Sequence, residues 1–254
     1  MIYLDQISKT YYPAGRSGGD EDITVTALRN ITLEITAGSY VVLIGTNGSG
    51  KSTLLNVIAG GITPDSGKIL LQNEDVTQHS SWQRSRHIAR IFQNPMTGTA
   101  PDLSILENFR LAALRTQSKG LQIGTGKAFR NRVAETISRL NMGLEKKLDR
   151  PIGSLSGGQR QALALLMSTM DECRILLMDE PCSALDPRSS QVIMELADQL
   201  IREKKITALL VTHQLRDCIH YGDRVLLMHE GAIKEDFSGD KKKELTIEQL
   251  YGYF

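Results

Sequence analysis

An unbroken apolar run, Val41-Val42-Leu43-Ile44, ends in Gly45-Thr46-Asn47-Gly48-Ser49-Gly50-Lys51-Ser52, and from 52 to 59 the spacing turns helical. No other stretch of the chain limits the fold so strongly. Adjacent apolar residues without alternation suit a strand covered on both faces, which predicts a central place in a largely parallel sheet. The loop fills G-x-x-x-x-G-K-[ST] with Gly45, Gly50, Lys51 and Ser52, and the order strand, loop, helix is the context that gives this spacing its chemistry. Glycines let backbone N–H groups converge on phosphate oxygens, helped by the positive end of the following helix. Lys51 is suited to reach β and γ phosphates, and the Ser52 hydroxyl to ligate Mg²⁺. Alone, this loop implies nucleotide binding of the kind shared by many ATPases and GTPases.

The remaining pattern places the loop in an α/β chain. Gly60-Gly61 and Pro64 stop the helix. Upstream, alternation at Ile31, Leu33 and Ile35 follows a polar loop at 14–22 and predicts a half-buried strand in an antiparallel start. Further strands are expected at 68–71 and 88–92. Between 104 and 142 the pattern is helical, with Ile105, Leu106, Phe109 and Leu111, then Val133, Ile137 and Leu140, interrupted at 120–126. Strands at 175–178, 206–211 and 225–228, with a helix at 188–203, resume an alternation that favours a parallel sheet with right-handed crossovers. The predicted fold class is α/β: a P-loop NTPase core with a mostly parallel sheet, an N-terminal antiparallel β-subdomain and a helical subdomain. A length of 254 residues suits one such domain, 1–254, with the helical part inserted at about 94–170.

Two further motifs carry chemistry. Ile175-Leu176-Leu177-Met178 runs into Asp179-Glu180, adjacent carboxylates at the sheet edge where α/β proteins bind ligands. Asp179 suits the magnesium shell, and Glu180 suits orienting or deprotonating an attacking water. Leu155-Ser156-Gly157-Gly158-Gln159-Arg160-Gln161 precedes a helical run at 162–170, and a serine with two glycines at a helix start forms a second anion site by the same logic. An ordinary capped helix would not call for the second glycine. Two anion sites in one chain imply either two ligands or one ligand shared between two chains.

Composition narrows the partners. Thirty basic and twenty-nine acidic residues leave a formal charge of +1, so no global field points to nucleic acid, and none is expected as a partner. Cys173, Cys182 and Cys218 lack C-x-x-C spacing, against both a disulfide framework and a zinc site, and fit a reducing cytosol. The start of the chain does not read as a secretory signal, and no apolar stretch approaches the roughly 20 residues needed to cross a bilayer. A membrane role would have to be borrowed from a partner. The Lys241-Lys242-Lys243 run reads as a solvated turn.

Leu155-Ser156-Gly157-Gly158-Gln159, lying between the phosphate loop and the acidic strand, makes the chain resemble the ATP-binding cassette (ABC) family over nearly its whole length. In that family two cassettes pack head to tail around ATP, each signature capping the γ-phosphate held by the opposite loop. The resemblance gives that role to Ser156, Gly157, Gly158 and Gln159, and makes residues Gly45 to Ser52, with Thr53, the ATP-holding segment. Tyr11 resembles the aromatic that stacks on adenine, with Tyr12 a neighbouring alternative. Gln93 resembles the glutamine that touches magnesium and water, and His213 the switch histidine for the γ-phosphate. Ser183-Ala184-Leu185-Asp186 is similar to the loop that reports between the two ATP sites, with Cys182 where threonine is common. The resemblance implies catalysis by Glu180, His213 and Gln93 and a Mg²⁺ held by Ser52, Gln93 and Asp179.

The same resemblance implies a transporter subunit that dimerises, with a homodimer expected, and powers separate transmembrane permease subunits at the cytoplasmic face of the membrane. The stretch Phe92-Gln93-Asn94-Pro95-Met96-Thr97-Gly98-Thr99-Ala100-Pro101 is most similar to bacterial uptake systems, some of them amino-acid importers, which work with an extracytoplasmic solute-binding protein. An exporter with separate membrane subunits, or a soluble ATP-switched module, is the alternative. The insertion carrying Arg115, Lys119, Lys127, Arg130 and Arg132 reads either as a solvated face or as a contact for permease loops and headgroups.

Overall fold

The computed structural model describes residues 1–12, 24–115 and 124–253. The polar loop at 14–22, Lys119 and the first part of the 120–126 interruption lie outside the described residues. In chain order the elements are β1 (Ile2–Tyr11), β2 (Val25–Ile35), β3 (Tyr40–Gly45), α1 (Lys51–Ala59), β4 (Ser66–Leu71), β5 (Glu74–Asp75), α2 (Ser81–Arg84) and β6 (Ile88–Ile91). They continue with α3 (Ile105–Ala113), α4 (Lys127–Ser138), α5 (Gly157–Thr169), β7 (Ile175–Asp179), α6 (Pro187–Lys204) and β8 (Thr207–Val211). The chain closes with α7 (Leu215–His220), β9 (Arg224–His229), β10 (Ala232–Ser238), α8 (Asp240–Lys243) and α9 (Ile247–Tyr251). They form two compact units, Met1–Arg84 with Thr207–Phe254, and Ser85–Ile206.

The first unit holds the antiparallel sheet β2-β1-β4-β5 and the strands β10-β9-β3-β8. As its apolar run requires, β3 is buried along its length and lies between parallel neighbours β8 and β9. Removing each of its aliphatic side chains from water contributes about 1.5–3 kcal/mol, so this strand holds the following loop on a stiff base. Ile31, Leu33 and Ile35 face inward from β2, paired antiparallel with β1. At the far end of α1, Gly60 adopts φ 77° and the buried Arg84 donates from Nη1 to the carbonyls of Val57 and Ile58, both at 2.8 Å. Its Nη2 donates to Val76 O at 2.6 Å and its Nε to His79 O at 3.0 Å, while burial lowers its pKa to about 10. Arg84 thus satisfies the carbonyls that a helix end leaves open.

In the second unit β6 and β7 run parallel. Ser104 starts α3 with a capping box to Glu107, and Asp186 with Pro187 starts α6, accepting from Ser189 N at 3.0 Å. Hydrogen bonds from the Ser189 side chain and then its backbone N–H hold the Asp186 carboxyl below its usual range. Phe109, Val133 and Ile137 are core residues, whereas Leu111, part of the same helical pattern, is 50% exposed. The basic insertion is largely engaged within the unit: Arg130 pairs with Asp149, Arg132 donates to Asp171 at 2.8 Å and Arg115 to Ser168 O at 3.1 Å. The lysine run forms a helical turn, α8, with Lys241 and Lys243 exposed, and Lys242 ties it to Ile219 O at 2.7 Å. Among the described residues no helix is long and apolar enough to cross a membrane.

Candidate functional site

At the start of α1 the cap is Gly50, with φ 101° and no side-chain cap. A Cβ there would lie 2.3 Å from Ala27 O, so only glycine fits both the backbone and the space. The turn after β9 supports the loop: Gly231 N donates to Ser49 O at 3.1 Å. Lys51 is 6% exposed and its Nζ donates to Gly45 O and Thr46 O, each at 2.8 Å. A nearly buried ammonium folded onto the loop, above helix N–H groups that no side chain caps, is an arrangement suited to an anion. Ser52 and Thr53 occupy the first turn of the same helix.

A cleft of about 760 Å³ opens beside the loop, lined by Ile44–Asn47, Thr212–Arg216, Ile247 and Tyr251. His213 shares a wall of this cleft with Gly45 and Thr46. The loop before α7 is held by the buried Thr212, whose hydroxyl donates to Asp217 Oδ2 at 2.8 Å and accepts from Gln214 N at 3.0 Å. Burial pushes the Asp217 carboxyl above its ordinary range, and the Thr212 hydrogen bond opposes this. Tyr11, on the last turn of pairing in β1, is 39% exposed, and Tyr12 is 72% exposed.

The second unit carries Gln93, Ser156 to Gln159, Asp179 and Glu180. Gln93 follows β6 and is exposed; Asp179 ends β7, with Glu180 beside it, both half-buried. Glu180 has φ 47°, a left-handed backbone that costs a non-glycine residue about 1 kcal/mol and concentrates at functional sites. Arg90 lies with its guanidinium 4.7 Å from the Phe92 ring centre; burial lowers its pKa, and the Asp179 charge opposes that shift.

The helix start at α5 is capped by its own side chains. Ser156 Oγ accepts from Gln159 N at 3.3 Å and Gln159 Oε1 accepts from Ser156 N at 3.3 Å, a complete capping box. The second glycine also has a packing cause: a Cβ on the buried Gly158 would lie 2.8 Å from Ser189 Oγ. Gly157 is exposed, and a Cβ there meets Leu185 at an ordinary 3.4 Å.

Residues 28–183, more than half of the chain, match the family model described as ABC transporter. The chain belongs to the ABC transporter family. It is an ATP-binding, ATP-hydrolysing transport subunit of the P-loop cassette fold, as the resemblance implied. It is similar to the tyrosine transport ATP-binding protein of Clostridioides difficile (strain R20291), 39% identical with 100% of this chain and 98% of that protein covered. The lipoprotein-releasing system ATP-binding protein LolD 2 of Chlorobium chlorochromatii (strain CaD3) is 32% identical, covering 95% and 97%. Among solved structures, the dimeric structure of MJ0796, a bacterial ABC transporter cassette, gives a TM-score of 0.78 at 28% identity, covering 93% and 97%.

Several residues of this ABC chain escaped the sequence reading. Tyr251 and Ile247 line the cleft from α9, far along the chain from the loop, and no local pattern signals that return. Thr212 and Asp217 could have been anticipated as a polar pair around a helix start, since Thr212 directly follows an apolar strand. Gln161, within the motif segment, was visible only as a neighbour of the signature.

Proposed function

We propose that the chain is the ATPase subunit of a bacterial uptake system for an amino acid, acting as a homodimer under separate permease subunits. It would sit at the cytoplasmic face of the membrane, peripheral through the permease, with an extracytoplasmic solute-binding protein in the complete system. The full-length likeness to a tyrosine transport subunit is the observation that carries this reading. The likeness to a lipoprotein-releasing subunit supports a second reading, release by separate membrane subunits. We read 1–254 as one ATPase domain with its signature-bearing part at about 94–170.

Residues Gly45 to Thr53 hold the triphosphate through main-chain N–H groups and the Lys51 ammonium, and Tyr11 stacks on the adenine. Among the described residues no group of three His, Cys, Asp or Glu is arranged to hold a metal, which suits an ion shared with phosphate oxygens. Ser52, Gln93 and Asp179 would hold Mg²⁺, which supplies charge neutralisation between the phosphates. Glu180 takes the proton of the attacking water, Gln93 orients that water, and His213 hydrogen-bonds the γ-phosphate. Ser156, Gly157, Gly158 and Gln159 act on the γ-phosphate held by the partner cassette, so dimer closure completes the site. Purification from membranes with partners retained, followed by ATPase assays with tyrosine and other amino acids, tests the whole reading. Co-purification of a multi-span permease and stimulation by one amino acid are expected; co-purification with no membrane protein would overturn it.

A further inference from the structure

Gln161 lies on α5, two residues beyond the signature glutamine, and is 1% exposed. Its Nε2 donates to Phe92 O at 3.1 Å and to Pro181 O at 2.8 Å. Phe92 precedes Gln93 in the chain and Pro181 follows Glu180. Because both neighbours are carbonyl acceptors, the amide has one possible orientation, NH₂ toward both. Gln161 Oε1 is then buried with no hydrogen-bond partner among the described residues. A buried amide oxygen left unpaired opposes stability, so an apolar residue would serve a purely packing role better.

We infer that Gln161 is a positioning residue for hydrolysis: one amide fixes the main chain beside both Gln93 and Glu180 and ties it to the signature helix. The left-handed backbone at Glu180, φ 47°, needs neighbours that over-determine it, and the hydrogen bond at Pro181 O is one. Any displacement of α5 is then felt at once by the two residues that orient and deprotonate water. This rests on the roles proposed above for Gln93 and Glu180.

The test uses the full chain with Gln161→Met, which keeps the length and removes both donors, and Gln161→Asn, which keeps an amide on a shorter stem. MgATP turnover per folded molecule and MgATP affinity by calorimetry are measured for each, with Glu180→Gln alongside. The inference expects kcat to fall at least tenfold in the Met variant with KM and Kd within twofold, and an intermediate kcat in the Asn variant. A merely structural role would lower activity only in proportion to the folded fraction. Should the Met variant fail to fold, a threefold or greater loss of kcat at unchanged KM in the Asn variant supports the inference. Wild-type kcat in a folded variant overturns it. If Glu180→Gln is inactive while the Gln161 variants turn over normally, this inference alone fails; if Glu180→Gln hydrolyses normally, the reading of the site fails instead.

Discussion

The helices α1 and α5 both start at a Ser-Gly pair, Ser49-Gly50 and Ser156-Gly157, yet their first turns are capped differently. The start of α1 has Gly50 as its cap and no side-chain cap, with Lys51 Nζ folded over the loop. The start of α5 is closed by its own Ser156 and Gln159. A ligand at α1 meets no side-chain cap; a phosphate at α5 must compete with a cap worth about 1 kcal/mol. The difference is in keeping with the proposed primary ATP binding at the phosphate loop and a secondary, conditional role for the signature.

This contrast can be broken most severely at Lys51. Lys51→Ala is expected to lower ATP turnover about a thousandfold, because the nearly buried cation proposed to hold the triphosphate is lost; steady-state phosphate release measures it, and a tenfold change would be too small. Glu180→Gln should cost about 10²–10⁴ in kcat while MgATP still binds, separating chemistry from the binding assigned to α1. Gly50→Ala places a Cβ 2.3 Å from Ala27 O at φ 101° and should destabilise the fold by about 2 kcal/mol or more, read from urea unfolding. Ser156→Ala should cost about 1 kcal/mol of stability yet leave MgATP affinity of the single chain unchanged.

The smallest effect concerns Asp217. Its carboxyl is raised by burial, so the folded state binds a proton more tightly than the unfolded one in the window above the ordinary aspartate range. Stability from this group is therefore fully present at low pH and declines as pH rises through the raised value. Asp217→Asn keeps an acceptor for Thr212 and should be slightly stabilising at pH 8 and neutral below pH 4, by denaturant titration.

The sequence made the strands buried on both faces legible because an unbroken apolar run such as 41–44 has few other uses, and the phosphate loop because its glycines fall between that run and a helix. Ile31, Leu33 and Ile35 were equally readable from alternation. β10 was not: its residues alternate half-buried and exposed with Lys234, Glu235 and Asp236 in the middle, as suits an edge strand. β5 is only two residues long, too short to leave a pattern. Leu111 followed the helical period yet faces water. Arg84, at the far end of α1, and Gln161 act on main-chain carbonyls contributed by other segments, and such partners have no sequence signature. Gly158, whose identity suggested a ligand, also has a packing cause in Ser189.

The division of labour between the two helix starts is tested most directly by Gly157→Asp in the Glu180→Gln background, a site where a side chain fits without a clash and the added charge would face phosphate. Sedimentation with MgATP, together with MgATP affinity at concentrations too low for association, gives both quantities from one preparation. The account predicts that Glu180→Gln alone dimerises with MgATP, and that adding Gly157→Asp abolishes the dimer while single-chain affinity stays within twofold. Loss of single-chain affinity, or an undiminished dimer, would contradict it.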